Sequence, residues 1–138
     1  MGSFHVPTGE TLCGLLEKSK FFTLTDVTLP QGGEPLAFFA LARTATVLII
    51  PGEGAAIDPR SQGDTKRQVS CLLEHGVVMG ALYLPGEVRV SDHLVGSDRF
   101  FVVGDCTVGI DTTGRPASVE ATHAAIINAR RVVGVAEM

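Results

Sequence analysis

The sequence predicts a mostly β protein built from two degenerate repeats of a small barrel-like or sandwich-like unit with short helical turns. Sixteen glycines and seven prolines among 138 residues are typical of many short strands and turns. Hydrophobic residues make up 45% of the chain and charged residues 19%, which is enough apolar material for a core. Two segments are also similar to each other, SKFFTLTDVTL from Ser19 and DRFFVVGDCTV from Asp98.

The similarity between the two halves extends beyond these segments. An offset of 79 residues aligns five identical pairs, namely Leu15 with Leu94, Phe21 with Phe100, Phe22 with Phe101, Asp26 with Asp105 and Thr28 with Thr107. One residue of slip aligns Val6-Pro7 with Leu84-Pro85, and an offset of 86 aligns LARTATVLI from Leu41 with INARRVVGV from Ile127. We interpret the pattern as a diverged tandem duplication, the alternative being two β segments that are similar by chance.

The duplication divides the chain into three parts. Residues 1–50 form a first, truncated β repeat, and residues 68–138 form a second, complete one. Residues 51–67 between them are rich in Gly, Pro, Asp and Ser, which is typical of a linker loop. We expect the two repeats to pack as one body, because a unit of ~60 residues buries little core alone.

Both halves predict the same order of elements. A strand ending at a proline is followed by a short helical turn, the Phe-Phe strand, a Gly-containing turn, an Ala-rich strand, a tight bend and a last strand. The second half has an additional first strand, about Gln68 to Leu73, in a hairpin that turns at Glu74–Gly76. The first half lacks this strand, so one of its sheet edges is covered by the second half or another subunit, or is left open.

Two Ala-rich segments, residues 35–43 and 117–131, are compatible with either helix or strand. We predict strands, because β-branched runs follow directly with no Gly-ended helix cap between them. Ser91 and Asp92 are the residues expected to cap the helical turn of the second half.

The second half resembles a known family. The stretch GALYLPGEVRVSDHLVGSDRFFVVGDCTVGID, followed by AAIINARRVVGV, is similar to an uncharacterised bacterial small-β-domain family of unknown function. The order of elements also resembles Sm-like barrels, more weakly. The resemblance covers about Gln68 to Ala136 well and the first half poorly. The first half departs from this pattern at two positions: Gly14 stands near the position of Asp92, and Ala42 stands at the position of Asn128.

The Sm-like resemblance implies where a nucleic acid would bind. Bases would be held by the closing bend and by the turn before the aromatic strand, which gives these candidate binding residues: Arg43, Asp92, His93, Asn128, Arg130 and Arg131. The net charge of −4 and the absence of a long basic cluster argue against a dedicated nucleic-acid binder. Solvated charge at a turn is the simpler interpretation of these arginines.

No motif for catalysis, a cofactor or a metal is found in the sequence. The four histidines have no metal-ligand spacing with each other or with a cysteine. His93 beside Asp92 could act as a general base, although a helix cap is the preferred role of Asp92. Cys13 and Cys106 lie in apolar contexts typical of inert thiols. We expect Asp26 and Asp105 to form turns or bulges, with retained catalytic residues as the alternative.

We therefore expect a non-enzymatic binding or scaffold module without a cofactor. Its expected partners are other copies of itself, as a homodimer or higher oligomer, or another protein. The alternatives are an Sm-like nucleic-acid or nucleotide binder and an enzyme whose site combines scattered loop residues. An odd number of cysteines with no signal peptide at the start predicts a cytoplasmic protein, and the lack of a long apolar run predicts one that does not enter a membrane. The family resemblance implies a bacterial source.

The Phe-Phe pairs are the predicted packing interface. Neighbouring residues on a strand point to opposite faces of the sheet. One member of each pair, Phe21 with Phe22 and Phe100 with Phe101, should therefore enter the core of its own repeat. The other member should lie on the opposite face, where we expect two repeats or two subunits to meet.

Overall fold

The computed structural model describes residues 3–4, 16–29, 31–52, 57–94, 99–112 and 115–138. The chain divides into two compact units, Met1–Thr46 and Val47–Met138. Both units are built on antiparallel strands, so the prediction of a mostly β fold is confirmed. No helix in the described ranges has the length and apolar character that crossing a bilayer requires.

The first unit contains a three-stranded antiparallel sheet. Its strands are β1 (Ser3–Phe4), β2 (Phe21–Thr25) and β3 (Phe39–Ala42), in the order β1-β2-β3, and residues 16–18 are helical. Side chains on β2 alternate between buried and exposed, with Phe22 and Leu24 in the interior. A 3-10 turn at Arg43–Ala45 ends β3.

The second unit contains a six-stranded antiparallel sheet that curls into a half-barrel. Its order is β4-β8-β7-β6-β5-β9, so β4 and β9 form the two edges. The strands are β4 (Leu48–Ile49), β5 (Thr65–Leu73), β6 (Gly76–Leu84), β7 (Phe100–Thr112), β8 (Arg115–Asn128) and β9 (Val132–Glu137). Between them lie a 3-10 turn at Pro59–Gln62, a helix α1 at Val90–Leu94 and a 3-10 turn at Ala129–Arg131.

The core of the second unit lies on the concave face of this sheet. Alternate residues on each strand enter it, as the two-residue period of a strand requires. The buried members are Val69, Cys71, Leu73, Val78, Leu82, Leu84, Phe101, Val103, Cys106, Val108, Ala125 and Ile127, and Val90 of α1 joins them.

A bulge in β7 changes which residues face the core. Met79 on β6 pairs with Thr107 and Ala81 pairs with Gly104, so β7 has one extra residue between these pairs. Asp105 has a φ of 41°, in the left-handed region, and its side chain is exposed. Gly80 lies opposite, where a Cβ would come within 2.5 Å of the Cys106 Cβ. The prediction that Asp105 forms a turn or bulge is confirmed, and Asp26, with a φ of 53°, has the same backbone conformation.

Several sequence predictions about individual elements can be compared with the strands. The β5–β6 hairpin turns at Glu74 and His75, close to the predicted position. Within the Ala-rich segments, residues 39–42 form β3 and residues 117–128 belong to β8, so the strand prediction is confirmed for these residues. Ser91 and Asp92 lie inside the first turn of α1, because the helix begins at Val90, and the prediction that they precede it is therefore wrong.

Candidate functional site

The candidate arginines lie in two short 3-10 turns, one in each unit. Arg43 begins the first turn, where its N–H donates to Lys20 O at 2.8 Å and its guanidinium donates to Glu17 O at 3.2 Å. Arg130 and Arg131 lie in the second turn and are exposed. The second turn therefore places exposed positive charge next to the end of β8.

Asn128 organises the second turn. Its side chain is buried, and its Oδ1 accepts a hydrogen bond from the Arg130 N–H at 3.1 Å. Its own backbone N–H donates to Val47 O at 2.9 Å. Asn128 therefore shapes the bend that carries the arginines, which is a structural role. In the first unit Ala42 has no such side chain, and Thr46 Oγ1 donates to Ala42 O at 3.0 Å instead.

Asp92 and His93 lie on α1, whose Val90 is anchored in the core. Asp92 is exposed and the His93 side chain is half-buried. Within the described ranges, no hydrogen bond or ion pair reaches the His93 imidazole. A general base needs a second polar group to orient it or a group to deprotonate. The described residues therefore do not support the hypothesis that His93 acts as a general base.

The remaining histidines and cysteines form no reactive cluster in the described part of the chain. Three or more metal-ligating side chains do not come together there. His123 Nδ1 lies 3.9 Å from Asp105 Oδ1, and both side chains are largely exposed, so their interaction is weak. His75 has the same kind of exposed contact with Glu74, at 3.7 Å. His5 and Cys13 lie outside the described residues.

The two described thiols are buried in the core. Burial, with a smaller contribution from the neighbouring Cys106, raises the pKa of the Cys71 thiol to about 11. Burial likewise raises the pKa of the Cys106 thiol. A raised pKa keeps both groups as neutral thiols near pH 7, whereas a nucleophilic cysteine requires the thiolate. Both cysteines therefore act as small hydrophobic residues.

The Phe-Phe pairs differ between the two units. Phe22 and Phe101 are buried on the inner faces of their sheets, as alternation requires. Phe21 is 62% exposed, whereas Phe100 is only 5% exposed. On the same strand as Phe100, Val102 bonds through both of its backbone groups to the side chain of Gln62, in the 3-10 turn Pro59–Gln62. The packing interface at these phenylalanines stays a prediction.

Sequence reasoning missed an apolar row on the convex face of the six-stranded sheet. Paired positions on five neighbouring strands form this row, namely Gly134, Leu72, Val77, Gly109 and Val119. Leu72 is 52% exposed and Val119 is 70% exposed. The signal was the run CLLEHGVVMGALYL, which is apolar at consecutive positions and therefore predicts strands that are apolar on both faces.

No protein-family model, curated protein or solved structure matches this chain. The resemblance to a bacterial small-β-domain family and to Sm-like barrels therefore stays an interpretation of the sequence.

Proposed function

We propose that the chain is a non-enzymatic binding or scaffold module of the bacterial cytoplasm that assembles with copies of itself through open sheet edges. One observation carries the proposal. Among the described strands, β3 pairs only with β2 and β9 pairs only with β5, so each has one edge without a strand partner. The sequences FALA and VVGVAE contain neither lysine nor proline, the residues that commonly protect an edge from pairing.

The proposal includes the tandem duplication, which the strand registers support. Phe21 pairs with Ala42 in the first unit, and Phe100 pairs with Asn128 in the second. Offsets of 79 and 86 relate these two pairs, as they do in the sequence alignment. The next three pairs along the strands obey the same offsets. On the other side of β2, Ser3 pairs with Thr25 as Ala81 pairs with Gly104.

Two further backbone details support the duplication. Asp26 and Asp105, which align in the sequence, are the non-glycine residues with positive φ among those described. The bond from Arg43 N–H to Lys20 O has a counterpart from Ala129 N–H to Arg99 O, at 2.8 and 3.0 Å. Chance similarity of two β segments would not require the same register, the same positive-φ aspartate and the same closing turn.

Burial of free thiols is compatible with the proposed compartment. Cys71 and Cys106 are unpaired cysteines inside the second unit. A reducing cytoplasm maintains such thiols, whereas secreted proteins of this size more often use disulfides.

Sedimentation velocity over a range of concentrations tests the proposed assembly. The chain has a mass of 14.5 kDa, and we expect a species of twice this mass or more that dissociates on dilution. A monomer at every concentration up to the millimolar range would overturn self-assembly as the function. The open edges of β3 and β9 would then have no partner of this kind.

A second candidate function is nucleic-acid binding through the basic 3-10 turns. The observation that favours it is that Arg43 and Arg130 lie in turns that align in the two proposed repeats. Labelled RNA and DNA oligonucleotides, titrated at low and high salt, test it. Binding through these turns should weaken with salt and with the double change Arg130→Ala and Arg131→Ala. Binding that is insensitive to both changes would exclude this site.

A further inference from the structure

We propose that β9 of one copy pairs with β3 of another copy, in the register that β4 has with β8. This inference rests on the proposed self-assembly and specifies its interface. β4 precedes the linker and pairs with β8 through Leu48 with Ile127 and Ile49 with Ile126. In the proposed duplication β9 is the counterpart of β4, and β3 is the counterpart of β8.

The offset of 86 relates each residue of an observed β4–β8 pair to a residue of the predicted β9–β3 pair. Leu48 and Ile127 correspond to Gly134 and Leu41, and Ile49 and Ile126 correspond to Val135 and Ala40. The contact between copies is therefore an antiparallel pair in which Gly134 lies opposite Leu41. Because the contact joins β9 of one copy to β3 of another, the two copies contribute different edges to it.

The hydrogen-bonding groups of β9 point in the direction that this register needs. Met138 N–H donates to Gln68 O on β5 at 2.9 Å. Bonding positions alternate along an antiparallel strand, so Val135 directs its N–H and C=O away from β5. In the observed pair, Asn128 N–H donates to Val47 O, which makes Ile49 a bonding position toward β8. Val135 is the counterpart of Ile49.

The free edge of β3 meets the same condition. Arg43 N–H donates to Lys20 O, so Leu41 and Phe39 bond toward β2. Ala40 and Ala42 therefore direct their backbone groups to the open edge. Their counterparts on β8, Ile126 and Asn128, are the positions that bond toward β4.

The side chain of Val133 provides a separate indication. Val47, its counterpart, packs against the core of the second unit next to β8. Val133 is 65% exposed in the single chain. An exposed apolar side chain on an unpaired edge strand marks a place where another chain can pair. Pairing of β9 with β3 would cover Val133 as pairing of β4 with β8 covers Val47.

Disulfide trapping tests the register. Leu48 and Ile127 form a non-hydrogen-bonded pair, the kind in which opposing Cβ atoms are closest. One chain carries Leu41→Cys and the other Gly134→Cys, both with Cys13→Ser, so that a disulfide between the new cysteines must join two copies. A Cβ at Gly134 would meet no atom within 4 Å, so the cysteine fits there. The control replaces Leu41→Cys with Phe39→Cys, which is displaced by two residues on the same face.

Under mild oxidation we expect the mixture of Leu41→Cys and Gly134→Cys chains to give a covalent dimer. Each variant alone, and the mixture with Phe39→Cys, should give several-fold less. No dimer from the first mixture, or an equal yield from the control mixture, would overturn the proposed register.

A charge at Val133 tests the same interface without disulfide chemistry. We expect Val133→Lys to raise the dissociation constant for self-association by about 100-fold or more, because the ammonium group would be buried without a partner. The matched control is Val119→Lys, which changes another exposed valine on a strand outside both edges. We expect it to assemble as the unmodified chain does, and both variants to unfold at similar temperatures.

The outcomes separate this interface from the more general function. Self-association that survives Val133→Lys unchanged would overturn the β9–β3 pairing and leave assembly by another surface. A monomeric unmodified chain would overturn both. Loss of self-association in Val133→Lys but not in Val119→Lys supports both.

Discussion

At the residue scale, Asp105 adopts a left-handed backbone that most L-residues avoid. This conformation costs roughly 1–2 kcal/mol for a residue with a Cβ, less for Asp and Asn, and little for glycine. We expect Asp105→Gly to leave the free energy of unfolding unchanged or to raise it by up to ~1 kcal/mol. Asp105→Val should lower it by about 1–2 kcal/mol, since a β-branched residue fits this region poorly.

Urea unfolding measures both changes at Asp105. Asp105→Asn serves as the control, because it tolerates positive φ and removes only the charge that faces His123. Equal stability of the Gly and Val variants would contradict a strained backbone at the bulge.

The Cys71 thiol gives the fold a dependence on alkaline pH. Its pKa is raised by burial to about 11, against 9.0 for an unperturbed thiol. The unfolded chain therefore loses this proton first, and the stability that the buried neutral thiol contributes is complete below pH 9. We expect the free energy of unfolding to fall between about pH 9 and 11.

Cys71→Ala isolates the contribution of this thiol. The variant should be less stable at pH 7, because a buried sulfur is lost from the core, but its stability should fall less steeply above pH 9. Denaturant titrations at several pH values give both slopes. Parallel pH profiles for the two proteins would mean that Cys71 ionises equally in the folded and unfolded chains.

At the scale of elements, a side chain replaces part of a strand beside β7. Pairing of β6 with β7 ends at Ala81 and Gly104, so Val102 has no partner on β6. Gln62 Oε1 accepts from Val102 N–H at 2.7 Å, and its Nε2 donates to Val102 O at 2.6 Å. The 3-10 turn at Pro59–Gln62 thus closes the sheet where its strands diverge.

Removing this amide should cost more than an ordinary surface change. We expect Gln62→Ala to lower the free energy of unfolding by about 2–3 kcal/mol, because two backbone groups of a buried residue lose their partner. Gln62→Glu keeps the acceptor and loses the donor, so its free energy of unfolding should lie between those of the unmodified chain and Gln62→Ala. Chemical denaturation ranks the three proteins, and an alanine variant within 0.5 kcal/mol of the original, the usual range for surface substitutions, would contradict the role of Gln62.

The same elements indicate how far the sequence alone can predict the structure. The order of strands from β5 to β9 was predictable, because alternation, glycine turns and β-branched residues agree there. The role of Gln62 was not, since it depends on where β6 leaves β7, and a contact across 40 residues leaves no local pattern. Asp92 was predicted to precede α1, but it lies two residues inside a helix that begins at Val90, a residue packed in the core.

The candidate site was less predictable than the fold. The bend at Asn128 and the arginines was located from the sequence, because an asparagine before a β-branched strand is a local signal. The open edges of β3 and β9 were not, because an unpaired edge is a property of the whole sheet order. The apolar row on the convex face likewise depends on registers between five strands.

At the scale of the whole molecule, the two units differ in the amount of core that each contains. The buried hydrophobic residues described in the first unit are Leu16, Phe22, Leu24 and Val27, whereas the second unit has a core drawn from four strands and a helix. Small units bury a smaller fraction of their surface and are correspondingly less stable. We expect the first unit to open well before the second.

Amide hydrogen exchange resolved by NMR measures this difference, in the Val133→Lys variant where assembly is weakened. Amides on β2 and β3 should exchange on the order of 100-fold faster than the central amides of β7 and β8, because local opening follows local core size. Equal protection in both sheets would show that the units unfold as one cooperative body, as the sequence predicted for packed repeats.

Exchange in the unmodified chain then links stability to assembly. If β9 pairs with β3 of another copy, the amides of Ala40 and Val135 gain acceptors, so they should exchange more slowly than in Val133→Lys. The amide of Leu41, which already bonds toward β2, should slow only as far as the whole first unit is stabilised by binding. A uniform slowing across β3, with no added effect at Ala40, would indicate that assembly stabilises the unit through a different surface.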